Sequence, residues 1–318
     1  MKVYRNIEQL PAFKNAVITI GTFDGVHEGH RKIIDSLELE AKKINGESVI
    51  ITFHPHPRKV VSSAILGIRL INTLDEKIEL LSKTGVDHLV IVPFTEAFAN
   101  QPAEAYIENF LIEKFHPHTI IIGYDHRFGR DRQGDYRLLE KMAPVYGYNL
   151  GEISKQVLDE VAISSTNIRE AIIHGDIDTA NKLLGYDFFF EGVVVHGDKL
   201  GRKLGYPTAN LRITDEEKIH LGDGIYAVYA ELKNDEQKTK NEKGSPIYKG
   251  MMSIGFRPTV DGKKRVVEVN IFDFDNEIYD ETLRVYVKKY LRPEAKFETV
   301  EDLVKQIGQD KIESLKIL

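Results

Sequence analysis

The chain has 318 residues, of which 42% are hydrophobic and 29% charged, a composition typical of a folded protein with about two domains. The 43 Lys and Arg against 49 Asp and Glu give a net charge of −6, which argues against a protein that chiefly coats nucleic acid. There is no cysteine, which excludes disulfides, thiolate metal sites and cysteine nucleophiles. No apolar run is long enough to span a membrane, and the N-terminus lacks the apolar core of a signal peptide. We therefore expect a cytoplasmic protein without nucleic-acid or membrane partners.

The first half of the chain alternates short apolar runs with amphipathic stretches. Four continuously apolar runs predict strands buried on both faces of a parallel sheet, at 16–21, 48–53, 88–93 and 119–123. Helical patterns fall between or after them, at 30–44, 75–84, 101–115, 167–174 and 176–184. This alternation of strands and helices predicts an open α/β sheet.

From about residue 188 the pattern changes from alternating strands and helices to mainly strands. Strand patterns separated by turn residues occur at 188–195, 224–232, 248–254, 265–274 and 282–290. One helix is predicted at 299–317, with Thr299 and Asp302 at its start in a capping pattern. We predict an antiparallel β-barrel with a terminal helix, a charged hairpin tip at 233–246, and domains at 1–186 and 187–318.

The string GTFDGVHEGH, residues 21–30, follows the first predicted strand and precedes the first helix. Ligands collect at the carboxyl ends of parallel strands, and a helix N-terminus presents free N–H groups to phosphate. Gly21 and Gly25 permit unusual backbone angles, and Gly29 lets a ligand approach the backbone closely. His27 and His30 share one helix face and can donate hydrogen bonds to phosphates. The histidine pair alone favours an ordinary surface turn, but its place between strand and helix favours a phosphate site.

Three further strings carry polar groups: FHPHP at 53–57, GYDHRFG at 123–129 and ISSTNIR at 163–169. In the last, one hydroxyl is expected to cap a helix and Arg169 to grip a phosphate, although a capped helix with a solvated arginine is as good an interpretation. His54 and His56 lack a nearby carboxylate, so a metal site there is weakly indicated, and we expect them to shape a pocket.

These strings, in this order, resemble motifs of the bacterial bifunctional riboflavin kinase/FMN adenylyltransferases, the prokaryotic FAD synthetases. The resemblance implies a Rossmann-like nucleotidyltransferase domain of the HxGH type, with His27, His30 and Arg169 as its catalytic residues. It also implies contacts to the ATP phosphates from Gly21, Phe23, Asp24, Gly29, Ser164, Ser165 and Thr166. Contacts to the flavin are implied for His54, Pro55, His56, Pro57, Asp125 and Arg127.

The second half carries the string GDKLGRKLGYPTAN at 197–210, with three glycines four residues apart. Such glycines allow a loop to wrap a nucleotide, although glycines alone favour a simple connection. Thr208 and Asn210 offer uncharged oxygens that suit Mg²⁺ held partly by phosphates. Glu268 and Asn270 share one face of a strand, and a carboxylate there could take a proton from a ribityl hydroxyl, although most strand glutamates only face solvent.

This string closely resembles the riboflavin kinase signature, which implies that Thr208 and Asn210 coordinate Mg²⁺ with ATP and that Glu268 is the base. It further implies ATP-phosphate contacts from Gly197, Lys203 and Gly205, and a flavin or nucleotide contact from Arg292 in the LRPEAKF segment at 291–297. The chain departs from the family pattern at His126, Asn270 and Asp280. Asp280 stands where glycine is usual, which predicts a perturbed turn.

The resemblance implies two reactions. Riboflavin and ATP would give FMN and ADP, and FMN with a second ATP would give FAD and pyrophosphate, with Mg²⁺ and no protein partner specified. Two alternatives stay open at this point. One is that only one domain is active, and the other is a non-catalytic protein that binds flavin or nucleotide.

Overall fold

The computed structural model describes residues 1–61, 69–123, 126–153, 164–197, 200–233, 246–259 and 262–318, without the side chains of 258–259 and 262–264. Two compact units divide this part of the chain, Met1–Ser165 and Thr166–Leu318. The predicted Asp125 and most of the predicted hairpin tip at 233–246 lie outside the described residues.

The first unit contains a six-stranded parallel sheet, in the order β1-β4-β3-β2-β5-β6. Its strands are β1 Lys2–Tyr4, β2 Val17–Ile20, β3 Ser48–His54, β4 His88–Pro93, β5 Thr119–Gly123 and β6 Asn149–Ile153. The four inner strands are those predicted from continuous apolarity, and they are buried almost throughout. The edge strands β1 and β6 were not predicted, because each is partly exposed and lacks such a run.

Helices flank this sheet and largely follow the predicted patterns. They are α1 Glu28–Lys43, α2 Pro57–Val61, α3 Leu74–Ser82, α4 Glu96–Ala99, α5 Ala103–Ala105, α6 Glu113–Phe115 and α7 Tyr136–Tyr146, with a π-helical segment Tyr106–Ile112 between α5 and α6. Helix α1 buries Ile34, Leu37 and Ala41, which recur at the helical period. Helix α3 begins at a capping box between Thr73 and Glu76. Helix α7 was not predicted.

The second unit is built on a closed antiparallel barrel, in the order β10-β11-β8-β7-β12-β9. Its strands are β7 Phe189–Val195, β8 Ala209–Arg212, β9 Gly224–Leu232, β10 Ile247–Thr259, β11 Gly262–Ile271 and β12 Thr282–Arg292. Strand β8 was not predicted, because its short ANLR sequence lacks apolar alternation. A short helix α10, Leu200–Lys203, precedes β8. The predicted terminal helix is α11, Val300–Ile317, and Thr299 Oγ1 accepts the N–H of Asp302 at 3.1 Å.

Two helices that the sequence placed in the first domain pack with the barrel. These are α8, Ser165–Ile173, and α9, Ile177–Leu184. Asn181 Nδ2 on α9 donates to Val287 O on β12 at 2.9 Å. The compact units divide between Ser165 and Thr166, at the first turn of α8, whereas the domain boundary at 186–187 stays a prediction. Among the helices described, none is both long and apolar enough to cross a lipid bilayer.

Candidate active sites

The loop between β2 and α1 carries the first predicted site and has an unusual backbone. Phe23, Gly25 and Val26 all have positive φ, at 48°, 93° and 37°. Gly25 therefore supplies the conformational freedom that the sequence predicted. Gly21 serves a different need: a Cβ added there would stand 3.0 Å from the Phe23 ring. The loop thus folds tightly over a buried aromatic side chain, immediately before the helix.

The two histidines of this loop stand together at the start of α1. His27 is the N-cap residue, and its Nδ1 accepts the backbone N–H of His30 at 3.3 Å. The two rings are stacked, with centroids 3.6 Å apart and planes 13° from parallel. Burial, followed by the charges of His27 and Lys77, lowers the pKa of His30 well below its ordinary value of 6.5. His30 is therefore a neutral imidazole at neutral pH, and its Nδ1 is buried without a hydrogen bond to any described residue.

Hydrogen bonds to two carbonyl groups hold this loop in place. Thr22 O accepts Lys77 Nζ at 2.7 Å and Thr52 Oγ1 at 3.2 Å. Ser165 Oγ donates to Asp24 O at 3.0 Å. This last contact joins the string at 163–169 to the string at 21–30, two segments that the sequence assigned to the same phosphate site. The Ser165 proton is engaged by the loop, so in this arrangement its oxygen is left as an acceptor.

A buried acid and a buried base lie beneath the loop. The Asp24 carboxylate, 1% exposed, accepts the backbone N–H groups of Ile71 and Asn72 at 3.0 and 3.3 Å. Lys77 on α3 is 5% exposed, and burial lowers its pKa, an effect opposed by the charge of Asp24. The sequence analysis missed Lys77. Its signal was a lysine three residues before Leu80, on the apolar face of a predicted helix.

The other residues predicted for this site lie on several different elements. His54 is exposed and precedes a cis peptide bond to Pro55, whereas His56 is buried and its Nδ1 accepts the N–H of Arg58 at 3.2 Å. Arg127 pairs with Asp135 at 3.0 Å. Gly29 is a buried residue of α1, and Pro57 begins α2. Ser164 and Thr166 are exposed, and Arg169 is a half-buried residue of α8.

The second predicted site lies where β8 pairs with β11. Asn210 is directly opposite Glu268 in this pair, and Thr208 Oγ1 donates to Glu268 Oε1 at 3.3 Å. Asn270, one of the departures from the family pattern, donates from Nδ2 to Pro207 O at 2.6 Å. Asn270 thereby anchors the segment that carries Thr208. The three predicted residues of the kinase site are brought together as the sequence indicated.

Glycines before β8 make room for these groups. A Cβ added at Gly197 would stand 2.6 Å from Cγ and 2.8 Å from Oδ1 of Asn210, and closer still to its Nδ2. A Cβ added at Gly201 would overlap Tyr206 O. Gly205 has φ +82° and open space around it, so its requirement is conformational. Lys203, the other predicted phosphate ligand of this loop, is exposed at the end of α10.

Two charged residues near Glu268, Arg257 and Glu294, have no role in the sequence analysis above. Arg257 Nη2 on β10 donates to Glu268 Oε2 at 3.1 Å, and its Nη1 donates to Glu294 Oε1 at 2.8 Å. Arg292, the predicted flavin contact, is held by a two-point pair with the buried Asp310 of α11, at 2.8 and 2.7 Å.

A partly open cleft lies beside Thr208. Its walls combine apolar and polar side chains, among them Arg202, Thr208, Val269, Phe274, Glu277 and Tyr279. Arg202 and Glu277 form an ion pair across 3.6 Å. Such a mixture of apolar walls and a few polar groups is typical of small-molecule sites.

The residues around Thr208 fit a magnesium ion. A hydroxyl, an amide and a carboxylate oxygen lie together, and these are hard donors of the kind that Mg²⁺ prefers. Within the described ranges, no three His, Asp or Glu side chains are grouped as a metal site. Thr208 and Asn210 would hold the ion together with nucleotide phosphates, beside the Glu268 carboxylate.

Comparisons with protein families also divide the chain into two parts. Residues 10–167 match the FAD synthetase family and residues 184–318 match the riboflavin kinase family. Bifunctional riboflavin kinase/FMN adenylyltransferases are similar over nearly the whole chain. That of Buchnera aphidicola (subsp. Schizaphis graminum) is 37% identical over 98% of this chain and 96% of its own length. That of Escherichia coli K12 is 35% identical over the same fractions.

A solved structure described as a macrolide-efflux protein from Streptococcus pneumoniae is also similar, with a TM-score of 0.85, 30% identity and 98% of each chain covered. We take from it the fold over the full length. The chain belongs to the bifunctional riboflavin kinase/FMN adenylyltransferase family. It is an enzyme of flavin nucleotide biosynthesis with both a kinase and an adenylyltransferase domain. This agrees with the prediction of two reactions and with neither of the two alternatives.

Proposed function

We propose that the barrel phosphorylates riboflavin with Glu268 as the general base. The observation that carries this role is the Thr208–Glu268 contact of 3.3 Å, directly opposite Asn210. Thr208 and Asn210 hold Mg²⁺ with the ATP phosphates, and the ion neutralises charge on the transferred phosphoryl group. Glu268 accepts the proton of the ribityl hydroxyl while the oxygen of that hydroxyl attacks the γ-phosphorus. FMN and ADP are the products.

The first unit then joins FMN to the adenylyl group of a second ATP. The FMN phosphate attacks the α-phosphorus and pyrophosphate leaves, so no side chain has to act as a covalent nucleophile. His27 and His30 donate hydrogen bonds at the N-terminus of α1, where the helix also favours negative charge. Arg169 neutralises phosphate charge. It lies in the same segment as Ser165, whose hydroxyl donates to the loop.

The remaining predicted contacts form part of the same proposal. In the adenylyl reaction the ATP phosphates are met by Gly21, Phe23, Asp24, Gly29, Ser164, Ser165 and Thr166. In the kinase reaction they are met by Gly197, Lys203 and Gly205. The flavin is met by His54, Pro55, His56, Pro57, Asp125 and Arg127, and Arg292 meets flavin or nucleotide once it leaves Asp310. We further propose that the enzyme is cytoplasmic and binds flavins as substrate and product.

The test separates the two reactions by supplying each substrate alone. Purified protein receives Mg-ATP with riboflavin, or Mg-ATP with FMN, and the flavin products are resolved. Glu268→Gln should abolish FMN formation and leave FAD formation from supplied FMN intact. The double variant His27→Ala/His30→Ala should show the opposite loss.

Each variant acts as the folding control for the other, because the two sites lie in separate compact units. Persistence of FMN formation in Glu268→Gln would remove that residue from the role of base. Unchanged FAD formation in the double variant would remove both histidines from the adenylyl site. Omitting Mg²⁺ should stop both reactions, and an undiminished kinase rate in a chelator would contradict the metal assignment.

A further inference from the structure

The carboxylate of Glu268 is held on both of its oxygens. Oε1 accepts the Thr208 hydroxyl at 3.3 Å, and Oε2 accepts Arg257 Nη2 at 3.1 Å. Among the described residues, Arg257 is the cation within ion-pair distance of this carboxylate. The second guanidinium nitrogen, Nη1, donates to Glu294 Oε1 at 2.8 Å. A chain of contacts therefore runs from Glu294 through Arg257 and Glu268 to Thr208.

The strand register explains how Arg257 reaches this carboxylate. Ser253 on β10 is paired with Glu268 on β11, and residues 253, 255 and 257 lie on the same face of β10. Position 255 between them is glycine, so no Cβ occupies the space above the strand at this point. The Glu294 carboxylate occupies that space instead, because a Cβ added at Gly255 would overlap it.

The charges in this chain are arranged to keep the guanidinium in place. Desolvation acts to lower the pKa of Arg257, but its hydrogen bond to Glu294 and the charge of Glu268 outweigh that effect and raise the pKa. The three side chains are partly exposed, at 41%, 25% and 33% for Arg257, Glu268 and Glu294. Ion pairs this exposed contribute little to stability, so their geometry is the better clue to their use.

We propose that Arg257, oriented by Glu294, is a positioning residue for the kinase: it fixes one oxygen of Glu268 and leaves the other oxygen turned towards Thr208. This inference rests on the proposed role of Glu268 as base. A general base has to lie within hydrogen-bond reach of the proton that it accepts, so a carboxylate that is already held in place reaches the reactive geometry more readily. Glu294 acts through Arg257 and touches no reacting atom.

The experiment measures kcat and KM of riboflavin phosphorylation, with thermal unfolding in parallel, in Arg257→Met, Arg257→Lys and Glu294→Gln. Removing the guanidinium should lower kcat by up to about 100-fold and leave KM nearly unchanged, because a misplaced base slows the chemical step without removing a substrate contact. Arg257→Lys should restore kcat in part, since it keeps the charge but not the two-point fork. Glu294→Gln should lower kcat by less than Arg257→Met does.

Lys249→Met is the matched control, because it removes an exposed cation from the same strand. It should leave kcat and KM unchanged, and FAD formation from FMN should be unchanged in every variant. A wild-type kcat in Arg257→Met would overturn the inference. If that variant does not fold, a wild-type kcat in both Arg257→Lys and Glu294→Gln would overturn it.

Failure of the inference is distinguishable from failure of the proposed base. If Glu268→Gln is inactive as a kinase while the arginine variants keep the wild-type kcat, only the positioning role is wrong. If Glu268→Gln keeps its kinase activity, the assignment of the base is wrong, and the positioning role falls with it.

Discussion

Gly197→Ala should disable the kinase while leaving the barrel folded. The added Cβ would stand 2.6 Å from Cγ of Asn210, so the amide must move by about 1 Å to reach ordinary contact, and a misplacement of that size can lower a rate about 100-fold. The stability effect should be small, below about 1 kcal/mol, because the displaced group is the end of a side chain rather than backbone. We expect a loss of about 100-fold in kcat/KM for FMN formation, together with a requirement for more Mg²⁺.

The assay compares FMN formation across a Mg²⁺ titration with FAD formation from supplied FMN, and thermal unfolding is followed in parallel. Gly205→Ala is the matched control in the same loop, since an added Cβ there meets nothing within 4 Å and only the φ of +82° is strained. It should lose stability with a smaller effect on Mg²⁺ dependence. Wild-type kinase rates and Mg²⁺ dependence in Gly197→Ala would refute the placement of Asn210 beside the ion.

Three further predictions concern single residues. First, the stability of the first unit should fall as pH drops below about 6.5, because the unfolded chain then binds a proton at His30 that the folded chain excludes; His30→Gln should flatten this dependence in thermal unfolding. Second, Lys77→Met should raise the pKa of His30 in an NMR titration, because a neighbouring positive charge is removed. It should also slow FAD formation, because Thr22 O loses its donor. Lys83→Met changes an exposed lysine just past the same helix and should do neither. Third, Asp280 has φ 65°, so Asp280→Gly should stabilise the barrel by up to about 1 kcal/mol and Asp280→Ala should destabilise it, as measured by denaturant unfolding.

Each of these has a result that would contradict it. Identical pH dependence in wild type and His30→Gln would show that His30 does not titrate differently on folding. An unmoved imidazole pKa in Lys77→Met would deny the electrostatic contact. Equal stability of the glycine and alanine variants at position 280 would show that the turn does not hold φ positive in solution.

The sequence predicts those parts of the fold in which local pattern and burial coincide. Strand β3 is apolar along nearly its whole length because both faces are covered, so its pattern alone identifies it. Strand β8 is held by its pairing with β7 and β11, and its sequence ANLR has no pattern that predicts this pairing. The edge strand β6 is half exposed, which removes the apolar signal. Long-range pairing therefore decides what the local pattern cannot.

The same division applies to the sites. Thr208, Asn210 and Glu268 are embedded in recognisable strings, and the structure brings them together. Lys77 comes from a helix whose string carries no chemical signature, and its role depends on a contact 55 residues away in sequence. Arg257 carries no such signal. Its contact with Glu268 arises only when β10 pairs with β11, and its contact with Glu294 requires the segment that follows β12.

The cap of helix α1 has a consequence for the proton on His27. Because Nδ1 accepts the N–H of His30, the single proton of a neutral imidazole must be on Nε2. The start of the helix thus selects the tautomer and presents the outer ring nitrogen as a donor. A second proton on Nδ1 would remove the acceptor and uncap the helix. The lone pair on Nδ1 therefore stabilises the start of α1 and also fixes the tautomer in which His27 can donate to an anion.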